Sequence, residues 1–286
     1  MESKNKRILI SVLMTAYNRE KYISEAIESV LASDFHDFEL IIVDDCSIDN
    51  TVEIAKKYEI QDSRVKVYIN DKNLGDYQNR NKAASYAKGK YIKYVDADDY
   101  IYPNGLETIA TQMELYPYVG LGFFSLPQNI NKPFPIVLNP NESYEYNFFG
   151  PGLFYKAPLS SIINREIFIK EGGFKPIRHC GDFELWHRLS QKYSTLLIQD
   201  HIVWFREHDN QESKKHNNNV ELEYTRIEYN YILDPRTPFS NLQRNKIIFN
   251  KIRYNLKNSL VYLFKLKFNY SYLFFNKILI FLNWKK

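Results

Sequence analysis

Five aspartates stand where apolar runs end. Asp44 and Asp45 follow Leu40–Val43, and Asp96, Asp98 and Asp99 follow Tyr91–Val95. The commonest use of Asp is to form turns and cap helices, which suits Asp49. It explains the Asp96-x-Asp98 spacing poorly, because that pair comes directly after an apolar run. Gathered at one edge, such carboxylates repel unless a cation or a donor-rich ligand neutralises them. As hard oxygen donors that leave coordination positions open, they suit Mg²⁺ or Mn²⁺ shared with phosphate oxygens. No G-x-G-x-x-G follows the first apolar run, and no G-x-x-x-x-G-K-[ST] occurs anywhere. Dinucleotide oxidoreductases and P-loop NTPases are thereby excluded, and a metal is left to carry the diphosphate.

The elements that position these groups follow from periodicity. Ile8–Met14, Leu40–Val43, Val65–Ile69 and Tyr91–Val95 are apolar runs of buried-strand length. Between them, Asn18 is expected to cap a helix whose stripe is Tyr22/Ile23, Ala26/Ile27 and Val30/Leu31. A second helix runs to about Tyr58, capped by Asp49 or Asn50 with Glu53 closing a capping box. A third, Asp76–Lys88, ends at Gly89. The order βαβαβαβ predicts an α/β fold, a mostly parallel sheet sandwiched by helices. In such sheets ligands sit beyond the carboxyl ends of the strands, where Thr15, Tyr17, Asn18 and the aspartates fall. Past Pro103 the sequence predicts a helix near Leu106–Leu115, then an irregular stretch to about Pro158. Helices at Ile162–Lys170 and Asp182–Gln191 and a strand at Leu196–Phe205 follow.

T-A-Y-N at Thr15–Asn18, V-D-D-C-S at Val43–Ser47, N-L-G with R-N at Asn73–Gly75 and Arg80–Asn81, and Y-V-D-A-D-D at Tyr94–Asp99 form an ordered set. E-G-G-F at Glu171–Phe174, G-D-F-E-L-W-H-R-L at Gly181–Leu189 and R-E-H-D-N-Q-E-S at Arg206–Ser213 continue it. Over residues 8–213 the chain resembles a family 2 glycosyltransferase of the GT-A Rossmann-like fold. The resemblance implies a nucleotide-diphospho-sugar donor, expected to be a UDP-sugar, a Mn²⁺ or Mg²⁺ cofactor, and inversion at the anomeric carbon. It implies that Thr15, Tyr17 and Asn18 line the nucleotide-sugar site, that Asp45 accepts a hydrogen bond from the base, and that Arg80 lies near base and phosphates. Asp96 would meet the ribose side and Asp98 the metal, with His208 a further candidate ligand. Asp182 resembles the catalytic base, with Glu184 in reserve; many members carry Glu before this Asp, where this chain has Gly181. Taken alone, Tyr17 reads equally as a sheet-edge packing residue, Arg80 as a helix-surface charge and Asp182 as an N-cap. The Q-x-x-R-W signature of processive synthases is missing after Gln191, which points to single additions.

With 286 residues, 44% apolar and 25% charged, the chain has globular composition. Two cysteines, Cys46 and Cys180, exclude a disulfide framework, and the polar Met1–Arg7 is no secretory leader, so a cytoplasmic location is expected. The formal charge of +4 divides into +10 over residues 240–286, which lack Asp and Glu, and −6 over the rest. Eleven aromatics interleave those cations, and no stretch of about 18 apolar residues spans a bilayer. The expected division is a nucleotide-sugar half over 1–102, an acceptor half over 103–215, and a helical segment over 216–286. The last is read as a membrane-surface element, or else as a packed or oligomerising appendage giving a possible homo-oligomer; no nucleic-acid module is present. The acceptor is expected to be a saccharide or lipid-linked saccharide of cell-surface polysaccharide assembly, met at the inner membrane face. Two alternatives are a sugar nucleotidyltransferase, which usually carries a Gly-rich basic loop where this chain has T-A-Y-N-R-E, and a non-catalytic scaffold.

Overall fold

The computed structural model describes residues 8–129, 131–209, 211, 218–264 and 268–282. Met1–Arg7, Lys265, Lys267, Trp284, Lys285 and Lys286, and Asn210, Glu212 and Ser213 of the segment around His208, lie outside them.

The first hundred residues alternate strand and helix: β1 Ile10–Ala16, α1 Ile23–Leu31, β2 Phe38–Asp44, α2 Thr51–Gln61, β3 Val65–Ile69, α3 Asp76–Tyr86 and β4 Tyr91–Tyr94. These strands are parallel in the order β3-β2-β1-β4. The chain therefore reverses its direction of travel across the sheet next to β1, which opens a crevice at the carboxyl ends of β1, β2 and β4. β1, β2 and β4 are buried on both faces, as the inner strands of a parallel sheet require, whereas β3 at the edge buries Val65 and Val67 and exposes Lys66 and Ile69. The pleat sends Leu13, Ile41, Val43 and Ile92 to one core and Val12, Met14, Leu40 and Ile42 to the other.

The remainder is β5 Tyr100–Ile101, α4 Gly105–Leu115, β6 Leu121–Phe123, β7 Ile136–Leu138, α5 Pro140–Phe149, β8 Ser161–Asn164, α6 Arg165–Lys170, α7 Gly181–Ser190, β9 Thr195–Leu197 and β10 Val203–Trp204. It extends the same sheet as β4-β8-β6-β9-β7, where β8 runs antiparallel to both of its neighbours. Three helices follow: α8 Asn218–Leu233, α9 Asn241–Phe264 and α10 Phe268–Leu282.

Several local expectations are corrected. The stretch up to Pro158 is not irregular throughout, since it holds β6, β7 and α5. Ile162–Lys170 is not one helix: Asn164 accepts a hydrogen bond from Ile167 N at 3.2 Å and starts α6 after β8 has ended. Leu196–Phe205 divides into β9 and β10. The α1 helix starts after Tyr22, and Asn18 instead adopts φ 53° and accepts from Ile48 N. Asp49 accepts from Thr51 N and Oγ1 at the start of α2, but the capping box with Glu53 is absent, because Glu53 pairs with Lys57. Gly89 is no helix cap, as α3 ends at Tyr86. It is glycine because a Cβ there would lie 2.5 Å from Ser11 N.

The C-terminal helices pack on the body. Tyr231 Oη donates to Glu184 Oε1 at 2.8 Å, Gln191 Nε2 donates to Thr237 Oγ1 at 2.8 Å, and Tyr229 Oη donates to Phe281 O at 2.9 Å. Two tail cations have carboxylate partners on α8 after all: Lys251 with Glu228 at 2.8 Å, and Lys277 with Glu221 at 3.0 Å.

Candidate functional site at the carboxyl edge of the sheet

Two loops form the floor. Ser47 N and Oγ donate to the buried Asp44 carboxylate at 2.8 and 2.5 Å, and Asn18 N donates to Ser47 Oγ at 2.8 Å. The end of β1 is thereby tied to the end of β2, leaving Thr15 half-buried and Tyr17 exposed beside them. Asp45 is buried and accepts from Asn70 Nδ2 at 2.9 Å, Leu74 N at 2.8 Å and Gly75 N at 2.9 Å. Three donors on two oxygens leave about one lone-pair direction for a further donor. Gly75 sits at φ 82°, a conformation that disfavours any side chain and lets α3 begin there.

Arg80 is a buried link, not a helix-surface charge. Its Nε donates to Asp76 Oδ1 at 2.7 Å and its Nη1 lies 2.7 Å from Asp96 Oδ1. Beside it, Asn81 Nδ2 donates to Phe174 O and its Oδ1 accepts from Phe174 N, fastening the Glu171–Phe174 turn to α3. Asp98 Oδ2 is shared: Arg19 Nε donates to it at 2.8 Å, and His208 Nε2 lies 3.0 Å away. His208 reaches it from 110 residues on because β10 pairs with β5, directly after Asp99. The same return places Arg206, whose N donates to Asp99 Oδ1 and whose Nε donates to Asp98 O, both at 3.0 Å. Burial, with the charges of Asp96 and Asp98, pushes Asp99 up to about 8.

Asp182 lies at the start of α7, half-buried. Tyr77 Oη donates to its Oδ1 at 2.9 Å, and Phe183 N donates to the same oxygen at 2.7 Å. Burial pushes this carboxyl up to about 6, against the pull of both hydrogen bonds. The space before it is taken: a Cβ on Gly181 would lie 2.7 Å from the Tyr77 ring. A glycine here is what allows Tyr77 to reach the carboxylate. Glu184, by contrast, is locked. Burial alone would raise it, but Arg188, Lys175 at 2.5 Å and Tyr231 at 2.8 Å hold it below the usual carboxylate range. That network anchors α7 to α8 and to the Glu171–Phe174 turn, whose Gly173 O accepts from Arg188 Nη2 at 2.7 Å.

The structure thus joins Asp182 and Asp96 through one helix, α3, which carries Asp76, Tyr77 and Arg80, while Asp98 belongs to a neighbouring cluster with Arg19, Arg206 and His208. Thr15 lies near the end of β1, and Tyr17, Asn18 and Asp45 sit on the neighbouring loops. Sequence reasoning missed Arg19, Tyr77 and Arg206. Arg19 had a signal, since it directly follows T-A-Y-N; Tyr77 and Arg206 acquire their partners only by folding. Among the described residues no group of three His, Cys, Asp or Glu converges on one point. Asp98 and His208 offer one hard oxygen and one imidazole nitrogen, and the Nδ1 of His208 is buried without a hydrogen-bond partner. These are the residues that could hold a divalent cation, which would then complete its coordination with water and phosphate oxygens.

The profile of the family described as Glycosyl transferase family 2 matches residues 11–172. The chain belongs to glycosyl transferase family 2. Within the family it is 31% identical over 211 residues to the uncharacterized glycosyltransferase MJ1057 of Methanocaldococcus jannaschii, covering 69% of this chain and 70% of that one. It is 41% identical over 106 residues to the glycosyltransferase GlyG of Streptococcus pneumoniae, covering 37% and 35%. WfgD of Escherichia coli, a UDP-Glc:alpha-D-GlcNAc-diphosphoundecaprenol beta-1,3-glucosyltransferase, is 40% identical over 105 residues, covering 37% and 41%. The matches to GlyG and WfgD therefore span well under half of either relative. The GT-A fold is shared with solved structures. TarS of S. aureus in complex with UDP-GlcNAc superposes with a TM-score of 0.74 at 20% identity, covering 96% of this chain and 81% of that one. The mannosyltransferase PcManGT of Pyrobaculum calidifontis, in complex with GDP-Man and Mn²⁺, gives 0.58 at 14% identity, covering 97% and 87%.

Proposed function

We propose that this family 2 glycosyltransferase moves a sugar, with inversion, from a UDP-sugar to a hydroxyl of a saccharide or lipid-linked saccharide in cell-surface polysaccharide biosynthesis. The observation that carries the reading is Asp182: a half-buried carboxylate raised to about 6 and held by Tyr77. A base must be ionised near the operating pH and still basic enough to take a proton. Asp182 Oδ accepts the proton of the acceptor hydroxyl, whose oxygen bonds to the anomeric carbon. The bond from that carbon to the diphosphate oxygen breaks on the opposite face, which inverts the centre.

On the donor side, the Asp45 carboxylate and the Thr15–Asn18 loop would receive the base, while Asp96, oriented by Arg80, would face the ribose. Mn²⁺ or Mg²⁺ held by Asp98 and His208 would neutralise the departing diphosphate. Arg19, already on Asp98, places a guanidinium beside that same oxygen. Support comes from the UDP-GlcNAc bound by TarS, the GDP-Man and Mn²⁺ bound by PcManGT, and the lipid-linked acceptor in the name of WfgD.

The test is a thermal-shift panel of UDP, GDP, dTDP and CMP, each with and without Mn²⁺. A ligand that binds only the folded state at 100 times its Kd adds about 2.7 kcal/mol of stability. A rise with UDP that needs Mn²⁺ supports the reading. No rise with any nucleotide at millimolar concentration overturns it.

A further inference from the structure

The solvent side of α9 carries Leu242, Lys246, Phe249, Arg253, Leu256 and Leu260. They are spaced alternately four and three residues apart, so a turn of 3.6 residues sets them in one stripe. Leu242 is 80% exposed, Phe249 63%, Leu256 50% and Leu260 48%. The opposite side of the helix is already used. Ile247 and Asn255 are buried and Lys251 reaches back to Glu228, so the exposed stripe is not a face that failed to pack. Four large apolar side chains in a row exceed the scattered exposure normal for a soluble surface, and such patches mark interaction sites.

We propose that this stripe of α9 lies in the plane of an anionic lipid bilayer. Charge decides the occupant. Lys246, Arg253 and Lys257 interleave with the apolar residues; among the described residues none of the three has an ion-pair partner, although Lys246 Nζ stands over the Phe149 ring at 5.3 Å. Neither α9 nor α10 contains an acidic residue. A second copy would pack this four-three spacing as a coiled-coil seam and bring Lys246 and Arg253 against like charges, which disfavours that pairing. At a bilayer the aliphatic stems sink beside Phe249 and Leu256 while the cationic heads reach lipid phosphates. Among the described residues no helix is long and apolar enough to cross a membrane, so the helix lies along the surface, over roughly 36 Å at 1.5 Å per residue. Membrane contact through α9 does not depend on the role of Asp182.

Flotation of the full chain with phosphatidylcholine vesicles, and with vesicles containing about one-third phosphatidylglycerol, tests it. Nucleotide binding, melting temperature and light-scattering mass are measured on the same samples. Wild type should float with the anionic vesicles and hardly with the neutral ones. Raised salt should weaken binding without abolishing it, because apolar insertion is not screened. Phe249→Glu with Leu256→Glu should cut binding at least about tenfold while melting and nucleotide affinity hold. Lys246→Gln with Arg253→Gln and Lys257→Gln should remove the preference for anionic lipid. The proposal is overturned if wild type stays unbound at low salt, if the double Glu variant still floats, or if wild type is a dimer that this variant splits. Loss of nucleotide binding in wild type would instead count against the transferase reading, and the flotation result would stand by itself.

Discussion

Replacing Tyr77 by Phe removes one hydroxyl and leaves the ring against Phe174, 5.3 Å away, and over Gly181. The lost bond is one of the two that favour the ionised form of Asp182. A hydrogen bond to a charged group contributes about 1.5–3 kcal/mol net. The low end applies here, because Phe183 N still donates to the same oxygen and the carboxylate is only half-buried. At 1.36 kcal/mol per pH unit, that raises the carboxyl by about one unit, to about 7. If Asp182 must be ionised to act, the acid limb of kcat/KM moves up by the same amount. At pH 6.5 the ionised fraction falls from about three-quarters to about one-quarter, a roughly threefold loss of rate, and above pH 8.5 the two enzymes nearly coincide. Initial rates of sugar transfer from pH 5 to 9, on matched preparations with equal melting temperatures, read this directly. Superimposable profiles, or a uniform drop with no displacement of the limb, would refute the pairing of Tyr77 with the base.

Asp98→Ala should abolish the Mn²⁺-dependent part of nucleotide-diphosphate affinity in calorimetry, since it removes the oxygen shared with Arg19 and His208; unchanged affinity in Mn²⁺ would dismiss the metal role. Glu184→Gln should lower the melting temperature by several degrees, as it weakens the Arg188, Lys175 and Tyr231 contacts, and leave the acid limb where it was. A displaced or missing acid limb in that variant would transfer the role of base to Glu184. Asp99 is raised by burial to about 8, so the folded state holds a proton that the unfolded state has lost between about pH 4 and 8, and stability falls as pH rises through that window. Asp99→Asn should flatten that slope in denaturant melts between pH 5 and 8; parallel curves for the two proteins would contradict it.

The first four strands were legible because each is a short, mostly apolar run, interrupted only singly as by Lys66 in β3 and Lys93 in β4, and the aspartates were legible because they follow such runs. Beyond Pro103 the signal fails for a physical reason. β6, β7 and β9 are three residues long, too short for any periodicity, and exist only because β8 and one another supply their ladder partners. The ionic partners were equally hidden. Arg80 finds Asp96 across 16 residues, and His208 finds Asp98 across 110, the latter through the two-residue ladder between β5 and β10. The tail shows the opposite case. Its charge count was read correctly, but Lys251 and Lys277 turn inward to α8 carboxylates, which composition does not reveal. What remains outward on α9 is a narrower feature than the whole basic segment.

The most direct measurement is release of nucleoside diphosphate from a panel of UDP- and GDP-sugars with Mn²⁺ and a saccharide or lipid-linked acceptor, run on the parent chain and on Asp182→Asn. The amide keeps the shape of the carboxylate and removes its basicity. Acceptor-dependent release of UDP by the parent is expected, with a ~10²–10⁴-fold slower rate in the variant and donor affinity nearly unchanged. Equal rates in the two proteins, or pyrophosphate formed from a nucleoside triphosphate and a sugar phosphate in place of UDP release, would contradict it.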